Sequence, residues 1–304
     1  MMKAEGVRLG IDLGGTLTKF LVLESGEKRY EESLPTPNGS FADLLRMLVG
    51  KARELLSRYP ITHIGIGVPG VVRDGRVEAD NLPIHGEPMQ ALLERELGLP
   101  VAVDNDASCA ALAEANFRKP SCRNLVMVTV GTGIGGGIVL DGEIRRGRGG
   151  MGEICHMSIE ASGGLPCTCG GRGCWEQYAS TTALVRACEC AAKEAPGSLL
   201  HTLLCEHGGL NGILIFRALR EGCPVAGKVF SEYLDRLAVG LRNLAYIFDP
   251  DVIVLSGGIT RDGDLFLEDL RERVGTDVPI EVSVLQSEAG AYGAAMLTCD
   301  GACK

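Results

Sequence analysis

Apolar residues along this chain follow two periods, one typical of buried strands and the other of amphipathic helices. Short apolar runs bounded by glycine, proline or polar residues predict strands at residues 7–14, 18–24, 28–34, 61–68, 101–104, 125–130, 134–140, 252–255 and 280–285. Longer segments with apolar residues three or four positions apart predict helices at residues 41–58, 87–97, 181–195, 211–221, 224–248, 265–273 and 289–298, and an Ala-rich helix starting at Asn105-Asp106. The chain is therefore predicted to be an α/β protein.

The order of these elements predicts an internal duplication. Three strands open the chain before helices and strands alternate, and a three-strand start recurs around residue 125, where Asp141-Gly142 predicts a tight hairpin turn. Such a pattern indicates two related α/β halves with an active site between them. We expect a small lobe of residues 1–104 plus about 288–304 and a large lobe of residues 105–287 that carries a zinc-binding segment.

Composition and charge narrow the functional classes. Hydrophobic residues make up 45% and charged residues 23% of the 304 residues, as in ordinary globular proteins. The net charge of −9 argues against binding the phosphate backbone of nucleic acids, and no apolar run is long enough to span a membrane. The start lacks the apolar core of a signal peptide, so a cytoplasmic location is expected. Most cysteines, such as Cys109 and Cys299, are expected to be buried packing residues.

A dense group of metal-ligand residues lies between residues 153 and 176. One imidazole and three thiols at this spacing are typical of a closed tetrahedral zinc site, which is structural because no position stays open for water. The predicted ligands are His156, Cys167, Cys169 and Cys174. The alternative is a set of buried cysteines at chance spacing.

Three glycine turns follow predicted strands. Asp12-Leu-Gly-Gly-Thr16 combines a carboxylate placed to hold Mg²⁺ through water with backbone amides that can face phosphate oxygens. The run 131–137 is a second such loop, and Ser256-Gly257-Gly258 is a third, suited to close approach by adenine or ribose. Any one of them could be an ordinary turn, but together they favour nucleotide binding. The candidate nucleotide-binding residues are Gly10, Asp12, Gly14, Gly15, Thr16, Lys19, Gly131, Thr132, Gly133, Gly135, Gly257 and Gly258.

Asn105 and Asp106 follow a predicted strand and begin a helix. A carboxylate there can accept the proton of an attacking sugar hydroxyl during phosphoryl transfer, and Asn105 can orient that hydroxyl. The simpler alternative is helix capping, which Asn105 can perform while Asp106 faces the substrate. Asp104 is a competing base, but it still belongs to the strand. Gly70, which ends the strand 61–68, is a further candidate for substrate contact.

Glu153 and Glu176 flank the cysteine segment. Carboxylates that accept hydroxyl hydrogens read the hydroxyl pattern of a sugar, and a histidine bound to metal through one nitrogen can hydrogen-bond a sugar through the other. Glu153, His156 and Glu176 are therefore predicted to contact a sugar, unless the two glutamates are solvated surface charges.

At this point the motifs resemble a known family. Asp12-Leu-Gly-Gly-Thr16 with Lys19, Asn105-Asp106-Ala107, the Gly131 loop, Gly152-Glu-x-x-His156 and the Cys-x-Cys-Gly-Gly-x-Gly-Cys-x-Glu segment resemble the ROK family (repressors, open reading frames, kinases) over nearly the whole chain. The resemblance implies an actin-like ATPase fold with two RNase H-like lobes, ATP-dependent phosphorylation of a sugar, and a homodimer. It implies that Asp106 is the base, that Asn105, Glu153, His156 and Glu176 bind the sugar, and that residues 10–17 and 131–138 form the ATP loops.

Two positions depart from the family pattern. A glycine usually precedes the zinc histidine, where this chain has Cys155, a fifth thiol that either competes for zinc or fills space. Glucokinase-like members commonly have Gly-Trp after the Asn-Leu-Pro motif, where this chain has Ile84 and His85, which leaves the preferred sugar open.

We predict a kinase that uses ATP and Mg²⁺, contains a structural zinc ion, and phosphorylates a hexose or N-acetylhexosamine at the 6-hydroxyl. The alternatives are a sugar-sensing transcriptional regulator of the same family and a non-catalytic sugar-binding protein. Regulators carry a helix-turn-helix domain ahead of the first glycine turn, whereas eleven residues precede Asp12 here, and the charge is acidic. Asp106 and both phosphate loops argue against a silent binder.

Overall fold

The computed structural model describes residues 6–79 and 81–298. The strands are β1 Val7–Leu13, β2 Leu17–Glu24, β3 Glu27–Pro35, β4 Ile61–Val68, β5 Val71–Arg73, β6 Arg76–Ala79, β7 Ile84–Glu87, β8 Val101–Asn105, β9 Leu125–Val130, β10 Ile134–Leu140, β11 Glu143–Ile144, β12 Val252–Ser256 and β13 Ile280–Val282. The helices are α1 Phe41–Arg58, α2 Met89–Leu97, α3 Asp106–Phe117, α4 Glu176–Ala179, α5 Thr181–Glu194, α6 Leu199–His207, α7 Gly212–Arg220, α8 Pro224–Phe248, α9 Leu267–Val274 and α10 Ala289–Met296. Short 3₁₀ helices cover Ile154–His156, Gly258–Leu265 and Gln286–Glu288.

The first sheet has the strand order β3-β2-β1-β4-β8. β1 to β3 form an antiparallel meander, and β4 and β8 then run parallel to β1. The apolar side of α1 packs on the sheet with Leu44, Leu48 and Leu55 fully buried, and Ser40 caps the helix by accepting the amide of Asp43. The sheet therefore presents the carboxyl ends of three parallel strands at one edge.

The second sheet repeats this order as β11-β10-β9-β12-β13. β10 and β11 are antiparallel, joined by Asp141 and Gly142 at φ +58° and +81°, and β12 and β13 are parallel. Positive φ at both turn residues is the geometry that Asp-Gly favours in a two-residue hairpin. The predicted duplication and the predicted turn are both confirmed.

A third, three-stranded sheet of β5, β6 and β7 was not predicted. Its strands span three or four residues each, and charged residues interrupt any alternation. Helix α6 was also missed, although Ser198 caps its start and Gly208 ends it at φ +69°.

Strand β13 is shorter than the predicted strand 280–285. The side chain of Glu114, fully buried in α3, accepts hydrogen bonds from the Ser283 hydroxyl at 2.5 Å and from the Leu285 amide at 2.9 Å. Because a buried carboxylate satisfies these groups, the backbone leaves the sheet after Val282.

Helix α10 lies directly against the first sheet. A Cβ added to Gly10 in β1 would come within 2.1 Å of the Ala291 carbonyl oxygen, and one added to Gly65 in β4 within 1.7 Å of the Ala294 carbonyl oxygen. Arg8 donates to the Ala295 carbonyl at 3.5 Å, across 287 positions of sequence. The end of the described chain thus covers its beginning.

Contacts divide the chain into two compact units. One contains the chain up to Met127, Gly137–Gly152 and the chain from Ser283 onward, and the other contains Val128–Gly136 and Glu153–Val282. The predicted lobe boundaries stay predictions. Cys109 is buried as expected, and Cys299 lies outside the described residues. No helix in the described ranges is long and apolar enough to cross a membrane.

Candidate active site

Asp12 lies near the carboxyl end of β1, opposite Lys19 in β2. Burial raises the pKa of its carboxyl group, and the positive charge of Lys19 offsets part of that rise. The Lys19 ammonium also donates to the Ser287 carbonyl at 2.6 Å and lies 3.7 Å from Glu31. A partly exposed, desolvated carboxylate of this kind suits indirect contact with a hydrated cation.

The turn after Asp12 is held from the side by Thr36. Its hydroxyl donates to the Gly14 carbonyl at 2.7 Å, and its amide donates to the Thr16 carbonyl at 2.9 Å. Gly15 and Thr16 are exposed, so the turn is both fixed and accessible. Gly10, by contrast, is buried in β1 under α10, and its contact with a nucleotide stays a prediction.

Asn105 ends β8 and caps helix α3. Its side-chain oxygen accepts the Ser108 amide at 3.0 Å, and its side-chain nitrogen donates to the Gly70 carbonyl at 2.9 Å. The capping alternative is thus confirmed for Asn105, while both groups keep capacity for a further hydrogen bond. Gly70 adopts φ +92° and would place a Cβ 2.2 Å from the Glu78 carbonyl oxygen, so glycine is required there.

Asp106 is the first residue of α3 and is partly exposed. One of its carboxylate oxygens accepts the Ala107 amide at 2.8 Å. The N-terminus of a helix favours a carboxylate in its charged form, which is the form that accepts a proton.

Asp104, the competing carboxylate, is 4% exposed and already paired. Its Oδ2 accepts hydrogen bonds from Arg146 Nε at 2.7 Å and Nη2 at 2.6 Å, and its Oδ1 accepts the Asn105 amide at 2.8 Å. Burial raises the pKa of this carboxyl group, and Arg146 opposes that rise. Asp104 therefore serves as an anchor for Arg146 in the loop that follows β11.

In the second unit, the turn of residues 131–133 joins β9 to β10, and Gly135 lies within β10. The Gly131 carbonyl accepts the Thr181 amide at 2.8 Å, and the Thr132 carbonyl accepts the Thr182 hydroxyl at 2.7 Å. The turn is thereby attached to the start of α5.

Gly257 lies beside the end of β9. It adopts φ +96°, and a Cβ there would lie 2.2 Å from the Val130 carbonyl oxygen. The hydroxyl and the amide of Thr260 both donate to the Gly257 carbonyl, which starts the 3₁₀ helix at Gly258. Two of the three predicted glycine turns therefore lie side by side in this unit.

Glu176 reaches the same glycine turn. Its Oε2 accepts the Ile134 amide at 2.9 Å, and a Cβ added to Gly133 would lie 2.3 Å from that oxygen. The carboxylate is half-buried at the start of α4. A predicted sugar ligand is thus hydrogen-bonded to a predicted nucleotide loop.

The four predicted zinc ligands converge. Their donor atoms all lie within 4.8 Å of one another. Cys167 Sγ is 3.5 Å from His156 Nδ1, and Cys169 Sγ is 3.6 Å from Cys174 Sγ. A tetrahedral zinc with bonds of about 2.3 Å to sulfur and 2.05 Å to nitrogen requires sulfur–sulfur separations of about 3.8 Å and sulfur–nitrogen separations of about 3.6 Å. The donor set therefore fits zinc.

The thiols of this set differ in acidity. Desolvation raises the pKa of Cys167, but hydrogen bonds from Cys169, Cys174 and His156 outweigh it and lower the pKa to about 7. Desolvation and the two neighbouring thiols raise the pKa of Cys174 to about 12. The Gly171 amide lies 3.4 Å from Cys169 Sγ, a donor that stabilises thiolate charge.

Glu153 contacts two neighbours of this cluster. Its Oε2 lies 3.7 Å from His156 Nε2, the imidazole nitrogen turned away from the sulfurs, and accepts the thiol of Cys155 at 3.7 Å. Desolvation first, and then the charge of Glu153, raises the pKa of the Cys155 thiol. Cys155 lies within 4.8 Å of Glu153 and His156 but is not one of the four converging donors of the predicted zinc set, so its competition for zinc stays a prediction.

Trp175 connects this segment to α8. Its indole is fully buried and donates to the Arg236 carbonyl at 2.9 Å, and a Cβ added to Gly240 would lie 2.0 Å from the ring. The ring therefore packs directly against α8 at Gly240 and holds the chain between Cys174 and Glu176.

Sequence reasoning missed the contacts that position these residues. The partners of Asp104, Glu114 and Glu176 lie 42 to 171 positions away along the chain. No local pattern identifies such a partner, although a buried carboxylate at a strand end by itself indicates that one is needed.

Comparisons with known proteins agree with this geometry. A family model described as ROK family matches residues 8–300. A glucokinase of Streptomyces coelicolor is 37% identical over 278 residues, which cover 88% of this chain and 86% of that protein. A putative xylose repressor of Caldicellulosiruptor sp. is 33% identical, over 96% of this chain and 77% of the repressor. A solved ROK family glucokinase from Streptomyces griseus, in complex with glucose and AMPPNP, aligns with a TM-score of 0.81 at 32% identity, over 97% of this chain and 100% of that chain.

Proposed function

We propose that this chain, which belongs to the ROK family and is a sugar kinase, transfers the γ-phosphoryl group of ATP to the 6-hydroxyl of a hexose or an N-acetylhexosamine. It has the actin-like ATPase fold, as the resemblance implied. The donor, the cation, the acceptor hydroxyl and the residues below are parts of the proposal.

One observation carries the choice of base. Asp104 is buried and paired with Arg146, whereas Asp106 begins α3 with a partly exposed carboxylate. We assign Asp106 as the group that accepts the proton of the sugar hydroxyl as it attacks the phosphorus. Asn105, held by the Gly70 carbonyl, orients the neighbouring part of the sugar.

Carboxylates and an imidazole recognise the sugar by hydrogen-bonding its hydroxyls. Glu153, Glu176 and the Nε2 of His156 form these hydrogen bonds, and Gly70 is a further substrate contact. The zinc set of His156 and the three cysteines has a structural role: it holds the backbone between Glu153 and Glu176 in one conformation.

The nucleotide is held by the three glycine turns. Asp12 is the residue placed to hold Mg²⁺, which when bound supplies neutralising charge to the phosphates. The turns after β1 and β9 present backbone amides to the phosphates, and the turn after β12 leaves room for the adenosine.

A single assay tests this function. ADP release is measured with ATP and Mg²⁺ across glucose, mannose, allose, fructose, N-acetylglucosamine and N-acetylmannosamine, and the product's phosphorylated carbon is assigned by phosphorus-coupled NMR. We expect turnover of at least one hexose or N-acetylhexosamine at carbon 6. Sugar binding without turnover would favour the alternatives, a sugar-sensing regulator or a silent binding protein. We also propose a homodimer, which light scattering after size exclusion tests.

A further inference from the structure

The carboxylate of Glu176 contacts the glycine turn in this structure. Its Oε2 takes the Ile134 amide, the donor that follows directly after Gly133. Within the turn, the Gly131 amide already donates to the Gly133 carbonyl at 2.9 Å. The carboxylate therefore uses one of the amides that a phosphate-binding turn would offer, and it brings a negative charge to the turn.

Glycine at position 133 leaves space for this contact, and a side chain there would displace the carboxylate. A Cβ there would lie 2.3 Å from Oε2 and 3.2 Å from Cδ of Glu176. At Gly131, two residues earlier, an added Cβ meets nothing within 4 Å. The close approach is thus specific to the residue that faces Glu176.

We propose that Glu176 couples the sugar to the nucleotide, an inference that rests on the proposed function. Without sugar, its carboxylate holds the Ile134 amide and its charge opposes a triphosphate on the same turn. Sugar hydroxyls that donate to the carboxylate compete with the Ile134 amide for it, which releases the amide and disperses the charge. Sugar therefore tightens nucleotide binding, and by linkage the nucleotide tightens sugar binding by the same factor.

Glu176→Gln keeps the shape and an acceptor oxygen but removes the charge. Binding of a non-hydrolysable ATP analogue with Mg²⁺ is measured by calorimetry, with and without a saturating amount of the sugar that the kinase turns over best. In the unaltered chain, we expect saturating sugar to lower the dissociation constant of the analogue about five-fold or more. In Glu176→Gln, sugar-free affinity should rise about three-fold or more, because a like charge is gone.

The matched control is Glu153→Gln, which alters the other predicted sugar carboxylate, whose side chain contacts His156 and Cys155. Its sugar-free affinity for the analogue should equal that of the unaltered chain. The proposed coupling is wrong if Glu176→Gln leaves the affinity for the analogue without sugar unchanged or lowers it. It is also wrong if Glu153→Gln raises that affinity as much as Glu176→Gln does.

A second pair of variants tests the reverse direction. Gly133→Ala pushes the carboxylate off the Ile134 amide, so that amide no longer competes with the sugar, and the sugar dissociation constant measured without nucleotide should fall several-fold. Gly131→Ala, in the same turn, should leave that constant unchanged. Equal effects of the two substitutions would overturn the coupling. If the unaltered chain phosphorylates no sugar, the proposed function fails as well; if it does while these variants behave alike, the coupling alone fails.

Discussion

Replacing Arg146 with alanine tests the buried ion pair beside the proposed base. The substitution leaves the Asp104 carboxylate, 4% exposed, without the two guanidinium hydrogen bonds that its Oδ2 accepts. Breaking a fully buried pair costs about 3–5 kcal/mol, and because the Arg146 side chain is 38% exposed we discount this to about 2 kcal/mol. For a chain of 304 residues that corresponds to a fall of about 3 °C in the thermal unfolding midpoint at pH 8.

The pH dependence of this effect has a definite sign. Folding raises the pKa of Asp104 from 3.8, so the folded chain binds that proton more tightly than the unfolded chain does. Stability linked to this group is therefore fully present below the unfolded pKa and is lost as pH rises through the folded pKa. Removing Arg146 raises the folded pKa further, so Arg146→Ala should destabilise the protein less at pH 5 than at pH 8.

Scanning calorimetry or dye-based melting at both pH values checks this. Arg145→Ala is a matched control, since its side chain is equally exposed at 38% but pairs with the exposed Asp141 and Glu143. It should shift the midpoint by less than about 2 °C. Adding Asp104→Asn to Arg146→Ala should recover part of the loss. A pH-independent effect, or equal effects of the two arginines, would refute the reasoning.

Three further predictions follow from the site. Asp106→Asn should lower kcat about 10²- to 10⁴-fold in steady-state kinetics and leave the sugar dissociation constant nearly unchanged, and near-full activity would exclude it as the base. Elemental analysis should find one zinc per chain, lost in Cys169→Ser but kept in Cys190→Ser, an exposed thiol outside the cluster. Gly240→Ala should lower the free energy of unfolding by about 1–3 kcal/mol and shift the fluorescence emission of Trp175, the only tryptophan in the sequence. Gly227→Ala, in the same helix, should have neither effect, because a Cβ added there meets nothing within 4 Å.

Elements with a long, uninterrupted pattern could be predicted from the sequence. The strands 61–68, 125–130 and 134–140 and the 25-residue helix α8 have the predicted bounds, because proline, glycine or aspartate marks their ends. The convergence of His156, Cys167, Cys169 and Cys174 was also predictable, since their spacing within one segment limits their geometry.

The supporting contacts of the site could not be predicted in this way. Glu114 was read as one residue of an Ala-rich helix, yet its carboxylate receives the Ser283 hydroxyl from 169 positions away. Glu176 was read as a sugar ligand, and the space that Gly133 leaves for it depends on how β10 and α4 pack. Such pairings depend on tertiary structure, so the sequence shows the need for a partner and not its identity.

The contact of α10 with the first sheet has a consequence for biosynthesis. Arg8 in β1 and Ala295 in α10 are 287 positions apart, and at 5–20 residues per second the ribosome needs about 15–60 s to make the intervening chain. Until then the close cover that α10 gives to β1 and β4 at Gly10 and Gly65 is missing. The opening strands must therefore wait, exposed to chaperones or to aggregation, until nearly the whole described chain has been translated.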